Sequence, residues 1–86
     1  MIERVATLPQ VEAAIAKHPA DTLELWSPEN GAEIQGVMWF VMLQKAMRQA
    51  FPDREPNLVV DCGIRADLAV EALRLGLPQV ALKGSA

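Results

Sequence analysis

NLVVDCGIRADLAVEALRLGLPQVALKG, residues 57–84, reads as strand, helix and strand in direct succession. NLVVDCG is an almost unbroken apolar run, as expected of a strand covered on both faces. RADLAVEALRLGL follows at helical spacing and ends at Gly76, a residue suited to a left-handed C-cap. QVALKG is a further short strand. Such a unit favours parallel pairing through a right-handed crossover.

The same grammar extends upstream. TLELWS, residues 22–27, alternates, with Leu23 and Leu25 on one face and Glu24 and Trp26 on the other. TLPQVEAAIAKHP, residues 7–19, has Thr7 three positions before Gln10, the spacing of a capping box. Pro9 fits a first helical turn, and Pro19 is expected to stop the helix. SPENGAEIQGVMWFVMLQKAMRQAFP, residues 27–52, reads as one long helix with two candidate starts. Ser27 could cap with Pro28 in the first position, or Asn30 could cap with Glu33 closing a box. Pro52 enforces its end. The expected fold is a single α/β domain over residues 1–86, of two or three layers. Its order is α-β-α-β-α-β around a three-stranded parallel sheet, four-stranded if IERV at residues 2–5 adds an edge strand. Residues 58–62 take a central place. Both crossover helices then share one face, and the first helix or another subunit covers the other, where Trp26, Val59 and Ala81 sit.

The chain has 86 residues, of which 51% are hydrophobic and few are aromatic. A domain of this size buries only ~60–65% of the surface of its unfolded chain, so this apolar content hints at burial between subunits. A net charge of −3 with no basic cluster argues against nucleic acid and against anionic membrane surfaces. The longest apolar run, GVMWFVML, falls far short of the ~20 residues of a membrane span. A lone cysteine and no spaced Cys/His set give neither an internal disulfide nor a metal site. No residue pattern calls for a cofactor. The expectation is a cytoplasmic chain.

The long helix is apolar on too many sides. Gly36, Trp39, Phe40, Leu43, Ala46, Met47, Ala50 and Phe51 form one stripe, read as the core face. Ile34, Val37, Met38, Val41 and Met42 project away from it. Gln44, Lys45, Arg48 and Gln49 mark a wet side further along. On the following helix, Ala66, Ala69, Val70, Leu73 and Leu77 read as core, with Leu68 and Leu75 roughly opposite. The surplus residues Ile34, Val37, Met38, Val41, Met42, Leu68 and Leu75 are read as an interface, in a homodimer or other homo-oligomer.

Ligands of open parallel sheets gather beyond the carboxyl ends of the strands. There Ser27, Asn30, Gly63, Arg65 and Lys83 could bind a small anion, with Gly84 and Ser85 beside them. Asp61 could act as a base, or could cap a turn or pair with Arg65 or Lys83. Cys62 could be a thiol nucleophile at a helix start, with Arg65 and Asp61 beside it, or a small apolar filler. His18, the only histidine, complements a helix dipole or is solvated, and no nucleophile–histidine pair follows from it. The primary reading has no catalytic residue.

Strand, Cys62, Gly63, Arg65, helix and the LRLGLPQVALKG tail loosely resemble the active-site half of a rhodanese domain, over residues 22–85. That likeness implies a sulfur-accepting Cys62 cradled by loop amides. The chain departs from the family in that Gly63 follows Cys62 at once, Arg65 comes only three positions after it, and LELWSP lacks the family's upstream Asp and Arg. A second likeness covers most of the chain. Ser27-Pro28, Gly36, Trp39-Phe40, Asp61-Cys62-Gly63 and Ala72-Leu73-Arg74-x-Gly76 are similar to a group of small uncharacterised bacterial α/β proteins. That likeness implies no activity.

Overall fold

In the computed structural model, which describes residues 2–18 and 23–83, the apolar run of the opening stretch is β3 (Leu58–Asp61), with all four residues buried. It lies between β2 (Glu24–Trp26) and β4 (Gln79–Ala81), and β1 (Ile2–Arg4) adds the fourth strand beside β2. IERV is thus an edge strand. All three pairings are parallel, and the strand order β1-β2-β3-β4 follows the chain. The helices are α1 (Leu8–Lys17), α2 (Gly31–Ile34), α3 (Val37–Ala50) and α4 (Ala66–Arg74). Pro19, Thr22, Gly84 and Ser85 lie outside the described residues.

Three terminal devices behave as their residues dictate. Thr7 and Gln10 form the reciprocal capping box of α1, with Pro9 in its first turn. Gly76 is left-handed at φ +95°. Around it Leu77 N–H donates to the Ala72 carbonyl and Gly76 N–H to the Leu73 carbonyl, closing α4 in a Schellman motif with Leu77 buried. Phe51, just before Pro52, ends α3.

The long helix is not continuous. It breaks into α2 and α3 at Gly36, whose φ of +92° only glycine adopts without strain. Neither expected cap forms. Ser27 directs its hydroxyl elsewhere, and Asn30, left-handed at φ +56°, makes no side-chain capping bond.

Freed from α2, α3 is rolled about its axis relative to the expected stripe. Val37, Phe40, Val41, Leu43, Gln44 and Met47 are buried, while Trp39 is half exposed. Val37 and Val41 therefore belong to the core, not to an outer face. The reason for the roll is Gln44, expected to be wet. Its Nε2 donates to the Pro56 carbonyl at 2.7 Å, and its Oε1 accepts the Leu58 N–H at 2.8 Å. A buried carboxamide with both partners on one short segment fixes the helix rotation against the start of β3. On α4 the buried positions are Ala69 and Ala72, with Leu68 packed beside them. Val70 and Leu73, read as core, face out.

One hydrophobic cluster joins α1, α3 and α4 to Leu25, Leu58 and Val60. The helices make a single layer, with α3 between α1 and α4. The molecule is thus a two-layer α/β domain. By strand alternation the other sheet face carries Ile2, Arg4, Glu24, Trp26, Val59, Asp61, Gln79 and Ala81. The first helix does not cover that face, because α1 packs beside α3.

Replacing Gln44 by Leu keeps the bulk but strands the Leu58 N–H and the Pro56 carbonyl. The expected loss is about 1–3 kcal/mol in urea unfolding. A change under about 0.5 kcal/mol, the range of an ordinary surface substitution, would contradict the clamp.

Candidate functional site

Two regions draw the sequence-predicted site residues: the loops beyond the strand ends and the outer surface of α3. Beyond the strand ends, Ser27 follows β2 and is fully buried. Its Oγ accepts the Asp61 N–H at 2.8 Å and donates to the Pro28 carbonyl at 3.0 Å. Asp61 ends β3 on the Trp26 side of the sheet. Its Oδ1 accepts the Gly63 N–H at 2.8 Å, and its Oδ2 lies 3.4 Å from Arg4 Nη1. The same Arg4 nitrogen donates to the Ser27 carbonyl at 2.9 Å, and its guanidinium stands 5.2 Å from the Trp26 ring centroid. The partner of Asp61 is therefore Arg4, not Arg65 or Lys83. These bonds tie β1, β2 and β3 together at one end.

The other candidate binders are engaged locally. Arg65 is paired with Asp67 at 2.8 Å and lies 3.9 Å from Glu33. Lys83 pairs with Glu29 at 2.9 Å. Gly63 is left-handed at φ +58° and sits against the Asn30 side chain, so a Cβ there would collide with the Asn30 carboxamide. Asn30 and Gly63 are thus packed on one another, and the Ser27 hydroxyl is taken up by Asp61 and Pro28. Arg65 and Lys83 already hold carboxylates. Among the described residues no buried side-chain polar atom lacks a partner, and no group of His, Cys, Asp and Glu could hold a metal ion.

Cys62 is fully buried within the core cluster. Its Sγ lies 3.7 Å from the Val60 carbonyl. Burial pushes the thiol above its ordinary range, and the carboxylates of Asp61 and Asp67 push it the same way. A nucleophilic cysteine needs the opposite environment. His18 meets Glu3 at 2.9 Å and not Cys62.

The outer surface of α3 is different. Met42 is 59% exposed, Met38 53% and Trp39 48%, and Ile34 at the end of α2 is 74% exposed. Between this crest and the start of α1 runs an apolar groove of about 720 Å³, lined by Leu8, Met38, Trp39, Met42, Leu43 and Ala46 among others. Trp39 is a fixed wall of it, because its Nε1 donates to the Ala6 carbonyl at 2.7 Å. Of the expected interface residues, Ile34, Met38 and Met42 are on the outer surface. Leu68 packs against the core, and Leu75 borders a separate pocket with Lys45 and Arg48. Trp39 and Arg4 were not among the expected site residues. The signal for Trp39 was its indole N–H, which needs an acceptor and so favours a half-exposed place.

Comparison with protein-family models, curated proteins and solved structures finds no match, so neither the rhodanese likeness nor the likeness to the small bacterial group gains support. Among the described residues no helix is long and apolar enough to cross a membrane.

Two outcomes follow. Native Cys62 is expected to resist alkylation at pH 7–8 and to react fully once the chain is unfolded; rapid native labelling would contradict its placement. Glu3, Glu29 and Asp67 are held below their ordinary values by hydrogen bonds from His18, Lys83 and Arg65 respectively. As pH falls, the unfolded chain therefore takes up these protons first. The pairs stabilise the fold above the ordinary values of 4.5 for Glu and 3.8 for Asp, and that stabilisation is lost as the pH drops through the lowered ones. The melting temperature should fall between about pH 5 and pH 3, and a flat profile there would contradict the pairing.

Proposed function

We propose that this chain is a non-catalytic association domain that pairs with a second copy of itself through the outer surface of α3. The observation that carries this reading is the set of exposed Met38, Trp39 and Met42 on α3 beside an apolar groove, with Ile34 of the preceding α2 also exposed. With side chains of about 200 Å² each, the four exposures, Ile34 of α2 included, offer on the order of 400–500 Å². Two copies of that surface would bury about 1,000 Å², the lower bound of a specific interface. Methionine adapts its shape to a partner, and the pinned Trp39 supplies a rigid anchor. A patch that meets its own copy about a two-fold axis closes without leaving a free surface. The strand-end loops support the reading by contrast, since among the described residues Arg65 and Lys83 are paired with carboxylates and the buried polar side chains have partners.

The test is the particle mass of the wild type against a Met38→Glu, Met42→Glu variant, by light scattering. Both side chains are exposed, so circular dichroism should be unchanged. The mass is expected to halve. An unchanged mass in a folded variant would remove the α3 contact.

A further inference from the structure

The sheet has an arrangement that a single copy leaves unfinished. Its strands are all parallel and follow one another in chain order, with the helices in one layer. That is the arrangement of half of an eight-stranded βα barrel. Parallel sheets are almost always covered on both faces, yet here no described helix lies on the face bearing Arg4, Trp26, Val59 and Gln79.

Both edges are complementary to each other. Val5 N–H donates inward to the Trp26 carbonyl, so by alternation the Arg4 backbone groups point away from the sheet. At the other edge Cys62 N–H donates to the Ala81 carbonyl, so the Val80 groups point away. β1 and β4 have the same length of three residues and the same direction. The outer edge of β4 can therefore accept β1 of another copy as a parallel neighbour. A two-fold axis repeats that joint on the opposite side and closes the ring with no edge left.

The uncovered face is already prepared for burial. Val59 and Asp61 are each only 7% exposed. Arg4 pairs with Asp61 and stacks on Trp26, and Glu24 accepts the Trp26 Nε1–H at 3.1 Å. Arg4 and Asp61 thus enter as an ion pair on their own chain, while Glu24 enters with the Trp26 N–H as its partner. We infer that a second copy of this chain docks on the open sheet, β4 of each against β1 of the other, to complete an eight-stranded parallel barrel lined by Arg4, Glu24, Trp26, Val59, Asp61 and Gln79. This surface is distinct from α3, and with the two two-fold axes crossing at right angles the two contacts together give a four-chain particle.

The experiment measures mass in four proteins: wild type, the Met38→Glu, Met42→Glu variant, an Ala81→Lys variant, and all three substitutions combined. Ala81 lies beside Asp61 in register, so a lysine there is tolerated on an open sheet but overfills a closed one. Gln79→Lys, at an exposed position of the same face, serves if Ala81→Lys fails to fold cooperatively. The expected masses are four chains, two, two and one. Amide exchange at Arg4 and Val80 should be about 100-fold faster in the combined variant than in the α3 variant. If the α3 variant is already monomeric, the barrel is overturned and the α3 contact stands. If instead the wild type is a dimer that Ala81→Lys alone separates, the barrel stands and the α3 contact fails. A monomeric wild type overturns both. A dimer that survives both lysine substitutions with freely exchanging Arg4 and Val80 amides also overturns the barrel.

Discussion

Two side-chain hydrogen bonds hold the ends of the central strand. Gln44 receives the Leu58 N–H where β3 begins, and Ser27 receives the Asp61 N–H where it ends. Between them lies a strand buried along its whole length. A buried backbone amide without a partner costs as much as a core cavity, so these two acceptors set the register of β3 against both α3 and β2. The rotation of α3 follows from the first bond. The knot of Arg4, Ser27, Asp61 and Gly63 follows from the second.

From that rotation comes the division of the molecule into finished and unfinished surfaces. With Gln44 inward, Val37, Phe40, Val41 and Met47 fill the core, and Met38, Trp39 and Met42 are left outside. With Ser27 and Asp61 satisfied, no buried side-chain polar atom among the described residues lacks a partner. Cys62, placed between them, is sealed into the core and its thiol is held protonated by burial. Among the described residues, what remains open includes the apolar α3 crest, a sheet face carrying Arg4, Glu24 and Gln79, and the two outer strands.

The α/β class, the central place of residues 58–62, the Thr7–Gln10 box and the Gly76 stop were all legible in the sequence. Each rests on a local pattern: an apolar run, a three-residue spacing, one glycine after a periodic stretch. The facing of α3 was not legible. Aliphatic residues surround its first half, so periodicity alone does not choose a side. The choice was made by Gln44, whose partners lie twelve and fourteen residues further along the chain. The break at Gly36 was hidden because a glycine within a strongly apolar stretch reads as a small residue facing the sheet. Val70 and Leu73 were misplaced for a related reason: the small Ala69 and Ala72 bring α4 close to the sheet, and small residues give a weak periodic signal. At the strand ends, the loops were correctly grouped. That Arg4, far away in sequence, would neutralise Asp61 depended on β1 lying next to β2.

The central claim is that this chain completes its buried surface with copies of itself. Sedimentation equilibrium of the unmodified protein over the micromolar range tests it most directly. The account predicts a particle of several chains, built on the 9.4 kDa unit, that dissociates only on dilution. A single species of 9.4 kDa across that range would contradict it.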